Sequence, residues 1–224
     1  MNLQGKKALV TGGSRGIGFE ICKIFFENGA EVVAVSKNSD NLRIASELLP
    51  GLMTFQANLA LPSDNQRLAE WISELWGCLD ILVNNAGISP KDGMELTVQS
   101  DAIFEEILQV NLFGPYFCTK RLLPLLEKAE SPRVVNIGSS VGIMSSDLTG
   151  AYSISKAALH ALSVAFSNEL RGKVSVNTLC PGWVRTDMAP DAPGDPRTSA
   201  ESTLWLITQP WELTGKLIRG RAEI

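Results

Sequence analysis

A tyrosine and a lysine with the spacing of an acid/base pair lie in the segment 152–156, which reads Tyr-Ser-Ile-Ser-Lys. Residues four apart on a helix project from one face, so the Lys156 ammonium is expected beside the Tyr152 phenol. A unit positive charge ~4 Å away, at an effective dielectric of ~20, is worth about 4 kcal/mol and lowers the phenol pKa by up to roughly three units. We therefore expect Tyr152 to act as a general acid/base near neutral pH.

A glycine-rich turn near the N-terminus is the second feature with chemical potential. The apolar run Ala8 to Val10 predicts a buried strand, and a helical pattern follows the turn. Gly12 and Gly16 can take positive φ, and Gly18 allows the helix to pack closely on the strand. Because a helix N-terminus also attracts anions, this strand-turn-helix unit predicts a site for the pyrophosphate of a dinucleotide.

The composition fits one globular domain covering residues 1–224, with 45% hydrophobic and 20% charged residues. A net charge of −4 and the lack of a basic cluster argue against nucleic acid or an anionic membrane as a partner. No apolar run reaches the ~20 residues of a membrane span, and the few residues before the first strand leave no room for a signal peptide. Four scattered cysteines predict buried free thiols in a reducing cytoplasm, with no metal site.

Apolar runs alternate with helical patterns along the whole chain. Strands are predicted at 8–10, 32–35, 53–57, 80–83, 134–137, 174–179 and 217–218. Helices are predicted from the first turn to about residue 28, and at 40–49, 63–76, 100–128 and 152–170. Strands without polar alternation are buried on both faces, so the pattern predicts an α/β, doubly wound Rossmann-type domain with a mainly parallel sheet of about seven strands.

Four motifs in a fixed order identify a family resemblance. They are Thr11-Gly12-xxx-Gly16-x-Gly18, Asn84-Asn85-Ala86-Gly87, Tyr152-xxx-Lys156 and Pro181-Gly182. Through Met188 the chain resembles the short-chain dehydrogenase/reductase family, and the run from Cys180 to Met188 is most similar to that of its NADP-dependent carbonyl reductases. The resemblance implies a soluble oxidoreductase that binds a nicotinamide dinucleotide.

The resemblance also implies a set of catalytic residues, which are Asn111, Ser139, Tyr152 and Lys156. Ser140 is the competing candidate for the serine, whose hydroxyl would bond the substrate carbonyl oxygen. For Asn111, the alternative is a satisfied core amide. Pro115, four residues later, has no N–H to bond the Asn111 carbonyl, so that carbonyl is a candidate to hold a water that relays protons to Lys156.

The cofactor implied is NADP(H). Where an acidic residue would exclude a 2′-phosphate at the end of the second strand, the chain has Ser36 and Lys37, and Arg15 is the second basic candidate for clamping that phosphate. The alternative is that both are ordinary surface charges. Asn58 replaces the adenine-site aspartate of the family. The predicted cofactor-binding residues are Gly12, Ser14, Arg15, Gly16, Ile17, Gly18, Ser36, Lys37, Asn58, Leu59, Asn84, Ala86, Gly87, Tyr152, Lys156, Pro181, Gly182, Val184 and Thr186.

The predicted reaction is hydride transfer from NADPH to a ketone or aldehyde, or the reverse, with Tyr152 as acid/base. A 3-oxoacyl-thioester reductase is the alternative within the enzymes, and a non-catalytic NADP(H) sensor or interaction module is the alternative of another class. Substrate loops are expected at about 88–95, 140–150 and 183–198, around a small, largely apolar substrate and with a reduced helical lid. A strongly anionic substrate has no obvious clamp, and Arg185 and Arg197 are the two residues left open for that role. The resemblance implies a homodimer or homotetramer, between which the sequence does not decide.

Overall fold

Seven α-helices and eight strands alternate in the computed structural model of the chain, which describes residues 1–90, 95–142 and 150–224. The strands are β1 (Lys7–Thr11), β2 (Glu31–Ser36), β3 (Met53–Gln56), β4 (Ile81–Asn84), β5 (Arg133–Ile137), β6 (Ser175–Cys180), β7 (Leu217–Arg219) and β8 (Ala222–Glu223). The helices are α1 (Gly16–Glu27), α2 (Ser39–Leu48), α3 (Pro62–Trp76), α4 (Asp101–Leu108), α5 (Gly114–Leu126), α6 (Gly150–Glu169) and α7 (Pro196–Thr208). None of these helices is both long and apolar enough to cross a membrane.

The strands form one sheet in the order β3-β2-β1-β4-β5-β6-β7-β8. All neighbours are parallel except β7 and β8, which are antiparallel. The doubly wound α/β fold predicted from the sequence is confirmed. The extra strand, β8, is only two residues long, so it has no hydrophobic period to detect in the sequence.

Both faces of the sheet are covered, which explains why the strands show no polar alternation. Ala8 and Val10 of β1 pack into a cluster with α1, α2 and α7, whereas Leu9, between them, packs into a cluster with α3 and α5 on the opposite face. Successive strand residues point to opposite faces, and here both faces are core. All three residues are 0% exposed.

Two helical predictions were wrong in detail. The segment from Pro196 carries a helix, α7, because Pro196 occupies the first helical position and Asp195 caps it by accepting from the Arg197 N–H at 2.8 Å. The single helix predicted over 100–128 is interrupted at 109–113 by a π-helical turn, in which the Gly114 N–H donates to the Gln109 carbonyl. Proline lacks the N–H that a regular ladder needs, which favours such a break near Pro115.

The turn between β1 and α1 requires glycine at more than one position. Gly12 and Gly16 adopt positive φ, 65° and 56°, as predicted. Gly18 is required for a different reason, since a Cβ there would lie 2.2 Å from the Gly12 carbonyl oxygen and 2.4 Å from the Asn85 Nδ2. Helix α1 can therefore begin against the end of β1 only without a side chain at 18.

Gly18→Ala is expected to lower the free energy of unfolding by about 3 kcal/mol, because the methyl meets backbone and a fixed amide rather than a flexible side chain. Urea denaturation followed by circular dichroism measures the change. Gly114→Ala is the matched control, since its Cβ would meet nothing closer than 3.5 Å, in ordinary contact. Equal stability of the two variants would contradict the close packing of α1 on β1.

Candidate active site

A cleft of about 400 Å³ opens at the carboxyl ends of the parallel strands. This volume lies within the usual range for small-molecule and cofactor sites. Most of the predicted cofactor-binding residues line the cleft: Gly12, Ser14, Arg15, Gly16, Ile17, Gly18, Ser36, Lys37, Asn58, Leu59, Asn84, Ala86, Gly87, Tyr152, Lys156, Pro181 and Thr186. Gly182, Val184, Asn111 and Ser139 are not among its lining residues.

The floor of the cleft is suited to a pyrophosphate. Arg15, the N-cap of α1, is extended and its side chain makes no capping bond, and the first turn of α1 carries no acidic residue. The first-turn N–H groups of α1 therefore retain their donor capacity for an anion. Thr186 closes the opposite wall, with its Cγ2 3.3 Å from the position a Gly16 Cβ would take. These residues fit a dinucleotide.

Thr11 and Asn85 tie the end of β1 to the loop after β4, a role that the motifs alone did not indicate. The Thr11 hydroxyl accepts from the Asn85 N–H at 2.9 Å and from the Ala86 N–H at 3.0 Å. The Asn85 Nδ2 donates back to the Thr11 carbonyl at 2.9 Å. These bonds hold the glycine turn against the loop after β4, so both halves of the floor move as one unit.

The asparagine predicted to recognise adenine is already engaged. The Asn58 Oδ1 accepts from the Ala60 N–H at 3.2 Å, and the Asn58 N–H donates to the Asp64 carboxylate at 2.7 Å. A carbonyl oxygen accepts two bonds, so the Asn58 Oδ1 can still accept from an adenine amino group while it holds the Ala60 N–H. The sequence could not show that the backbone of the same turn already takes one of these two places.

The two basic residues predicted to hold a 2′-phosphate differ in their surroundings. Arg15 forms an ion pair with Asp187 of the loop after β6, and both side chains are exposed. Lys37 lies at the end of β2, and no ion pair engages it within residues 1–90, 95–142 and 150–224. Arg15 therefore lies in the cleft, as predicted, but it is paired with the Asp187 carboxylate, a contact that was not predicted.

A hydrogen bond from the Ser139 side chain acts to lower the pKa of the Tyr152 phenol, and the Ser139 Oγ also accepts from the Val141 N–H at 3.2 Å. The neighbouring Ser140 instead donates its backbone N–H to the Cys180 Sγ at 3.1 Å. The geometry thus favours Ser139 over Ser140 as the serine that shares a substrate oxygen with Tyr152. The same bond joins Cys180, at the end of β6, to the turn after β5, a contact that the expectation of a buried free thiol did not include.

The predicted lowering of the Tyr152 pKa by Lys156 was wrong for the chain by itself. Burial raises the pKa of the Tyr152 phenol above its ordinary value, and the neighbouring Cys180 acts in the same direction. Lys156 is buried, its Nζ donates to the Ile137 carbonyl at 2.9 Å, and it lies 5.7 Å from the Tyr152 ring centroid. Burial also lowers the pKa of Lys156 to about 8, so burial disfavours the charged form of this side chain as well.

Asn111 is fully buried in the π-helical turn and its side chain is saturated by the protein. Its Oδ1 accepts from the Ile88 N–H at 2.8 Å, and its Nδ2 donates to the Ile88 carbonyl at 2.9 Å and the Ser155 Oγ at 3.0 Å. Ser155 in turn donates to the Tyr152 carbonyl at 2.6 Å. Asn111 and Ser155 therefore join the loop after β4 to the helix that carries Tyr152, a role that sequence reasoning missed for Ser155.

The two arginines left open as anion clamps make other contacts. Arg197 pairs with Glu27 of α1 at 2.7 Å, and Glu20 and Glu201 lie 3.8 Å from it, so its charge joins α7 to α1. The Arg185 Nε donates to the Ala192 carbonyl at 3.3 Å. Parts of the predicted substrate loops, with Ile143, Met144 and Leu148, lie outside the described residues, whereas Trp183 and Met188 are exposed beside the cleft.

The amino-acid sequence is similar to those of known short-chain dehydrogenases and reductases. A family model of the short chain dehydrogenases matches residues 6–196. A rhamnolipid-biosynthesis 3-oxoacyl-acyl-carrier-protein reductase of Pseudomonas aeruginosa is 38% identical over 205 residues, which span 88% of this chain and 79% of the relative. A 3-oxoacyl-acyl-carrier-protein reductase of Vibrio cholerae is 32% identical over 201 residues, or 89% and 82% of the two chains.

Solved structures agree over the whole length. A short chain dehydrogenase of Shigella flexneri, complexed with NADP, superposes with a TM-score of 0.92 at 27% identity and 99% coverage of both chains. One from Escherichia coli, complexed with NADPH, gives a TM-score of 0.92 at 28% identity and the same coverage. With these matches and the cleft described above, the chain belongs to the short-chain dehydrogenase family of nicotinamide-dependent oxidoreductases.

Proposed function

We propose that the protein is an NADP(H)-dependent reductase that converts a ketone or aldehyde to an alcohol, or catalyses the reverse reaction. The observation that carries the proposal is the arrangement of Tyr152 and the buried Lys156, which both line a cleft floored by a glycine turn, with Ser139 acting on the Tyr152 phenol. The NADP and NADPH complexes of the two structural neighbours support the cofactor. The preference for NADP(H) over NAD(H) is supported by Lys37 and by the presence of Ser36, rather than an acidic residue, at the preceding position.

The dinucleotide, when bound, supplies or accepts the hydride at its nicotinamide ring. The protein then has to hold the substrate oxygen and manage one proton. Ser139 donates to the carbonyl oxygen, and Tyr152 gives that oxygen its proton as negative charge develops. Because burial raises the Tyr152 pKa, the phenol is protonated at neutral pH, which is the form needed for reduction. Alcohol oxidation starts from the phenolate, so it requires a further positive charge near the ring.

Reduction of a 3-oxoacyl thioester is the second candidate, and the names of the two curated relatives support it. The exposed Trp183 and Met188 beside the cleft would suit an acyl chain. The paired state of Arg197 argues against that residue as a clamp for a carrier phosphate. NADPH oxidation with aldehydes, diketones, quinones and acetoacetyl thioesters separates the two candidates. A sensor without catalysis is disfavoured, because binding alone does not require the Ser139, Tyr152 and Lys156 cluster.

We further propose a cytoplasmic location and self-association. All four cysteines are free thiols and three of them are buried, which is the expected state in a reducing compartment. The homodimer or homotetramer implied by the family stays a prediction. Its support is limited to exposed apolar side chains such as Phe113 and Ile154, each about two-fifths exposed.

Tyr152→Phe should lower kcat by at least about 100-fold, because the proton donor is lost, while NADPH affinity stays within about twofold. Steady-state kinetics and NADPH fluorescence titration measure the two quantities. Tyr116→Phe is the control, since Tyr116 likewise precedes a lysine by four residues, and its hydroxyl accepts from that lysine, Lys120, on the exposed side of α5. Full turnover by Tyr152→Phe would remove Tyr152 from its proposed role.

Lys37→Asp combined with Arg15→Ala should reduce the ratio of kcat/KM for NADPH to that for NADH by about 100-fold or more. The expected size reflects two contacts to a charged phosphate at about 1.5 kcal/mol each. Arg43→Ala on α2 removes an exposed arginine paired only with Glu47 and serves as the control. An unchanged ratio in the double variant would show that the phosphate is read elsewhere or not at all.

Lys156→Met should raise the free energy of unfolding of the cofactor-free protein by about 2 kcal/mol at pH 7. The shift of the Lys156 pKa from 10.5 to about 8 means that folding buries an ammonium at a cost of about 3 kcal/mol, of which the lost hydrogen bond to Ile137 offsets about 1. The folded pKa lies below the unfolded one, so this cost is present below pH 8 and disappears as pH rises towards 10.5.

Urea denaturation at pH 7 and pH 10 tests this difference. The gain from Lys156→Met is expected to shrink at the higher pH, whereas the exposed Lys120→Met control should change stability little at either. A variant that is less stable than the native protein at pH 7 would show that the buried ammonium is fully compensated in the fold.

A further inference from the structure

An ion pair crosses the mouth of the cleft between two segments that are far apart in the chain. Arg15 belongs to the glycine turn after β1 and Asp187 to the loop after β6, 172 residues later. Both residues line the cleft, and both side chains are largely exposed, at 64% and 71%. Beside this ion pair, the Thr186 Cγ2 lies 3.3 Å from the position that a Gly16 Cβ would take. The loop after β6 therefore approaches the glycine turn at both Asp187 and Thr186.

The loop that carries Asp187 is held mainly by its own backbone. The Arg185 N–H donates to the Gly194 carbonyl at 2.9 Å, and the Gly194 N–H donates to the Trp183 carbonyl at 3.1 Å. Within the turn, the Ala189 N–H donates to the Thr186 carbonyl at 3.0 Å. The loop therefore keeps its shape without Arg15, and the ion pair is a separate contact that can be exchanged without unfolding the loop.

Arg15 is the residue for which two anions would compete. In the cofactor-free chain its guanidinium is bonded to the Asp187 carboxylate, whereas the proposed function requires it to reach a 2′-phosphate at the end of β2, beside Lys37. A guanidinium binds either group through charge-assisted hydrogen bonds. Lys37 has no comparable competitor among the residues that the structure describes, so any such competition acts on Arg15 alone.

We propose that Asp187 tunes cofactor specificity by competing with the 2′-phosphate of NADP(H) for Arg15. Binding of the phosphorylated cofactor exchanges the Arg15–Asp187 pair for an Arg15–phosphate pair, and the cost of breaking the first pair lowers the affinity. NAD(H) has no 2′-phosphate, leaves the pair intact and incurs no such cost. Asp187 thus acts through Arg15 as a positioning residue, and this inference rests on the proposed contact between Arg15 and the phosphate.

The expected effect is modest because the pair is exposed. Exposed ion pairs contribute at most about 1 kcal/mol, which corresponds to a change in affinity of about two- to fivefold. Asp187→Asn should therefore tighten the binding of 2′,5′-ADP and NADPH by about two- to fivefold. The affinity for 5′-AMP and NADH, which lack the 2′-phosphate, should stay essentially unchanged.

Titration calorimetry with 2′,5′-ADP and 5′-AMP measures this difference without turnover, and NADPH and NADH fluorescence repeats it for whole cofactors. Asp191→Asn, an exposed carboxylate of the same loop, controls for the general loss of negative charge near the cleft. In an Arg15→Gln background, Asp187→Asn should no longer change the affinity for 2′,5′-ADP, because the residue through which it acts is absent.

The outcomes are separable. An Asp187→Asn variant that weakens 2′,5′-ADP binding, or that changes both nucleotides equally, overturns the competition, as does an effect that persists in the Arg15→Gln background. If Arg15→Gln alone leaves the ratio of 2′,5′-ADP to 5′-AMP affinity unchanged, the proposed phosphate contact itself is wrong and the competition falls with it. If Arg15→Gln lowers that ratio but Asp187→Asn does nothing, only the competition is wrong.

Discussion

The parallel pairing of β1 with β4 at the centre of the sheet is the constraint on which the site depends. Ala8 pairs with Ile81 and Val10 with Val83, and beyond these pairs the two strands lead to opposite faces of the sheet. A crevice must open where the connections diverge. The bonds between Thr11 and Asn85 join the two sides at the bottom of this crevice. The cleft therefore opens along the edge of the sheet where these parallel strands end.

Burial rather than attraction sets the resting state of the catalytic pair. The phenol pKa is raised and the ammonium pKa is lowered, so the surroundings favour the neutral form of each group. The Lys156 Nζ donates to the Ile137 carbonyl and lies 5.7 Å from the Tyr152 ring centroid, and burial is the largest influence on the phenol pKa. A neutral phenol is a ready proton donor, and the Ser139 bond is the contribution from the protein that moves its pKa in the opposite direction.

The sequence predicted the parts of this arrangement that depend on local pattern. The sheet and the glycine turn follow from short-range hydrophobicity and spacing, and they were found. Spacing alone would not have selected Tyr152, because Tyr116 and Lys120 form the same i,i+4 pair on an exposed face. Its position after β5 made the distinction. The Arg15–Asp187 pair joins residues 172 positions apart, and the burial that shifts both pKa values is a property of the packed chain, so neither could be inferred from a motif.

The π-helical turn at 109–113 shows how three local demands produce an irregular element. The Asn111 amide has to face the Ile88 backbone and Ser155 at once, the leucines of α5 have to face the sheet, and Pro115 cannot donate to a carbonyl one turn earlier. A regular helix would keep Asn111 and α5 in one fixed phase. The wider turn changes that phase, so Asn111 lies at 0% exposure beside Ile88 while the leucines of α5 pack in the core. The π-helical turn between α4 and α5 therefore allows Asn111 to face Ile88 and Ser155 while the leucines of α5 face the core.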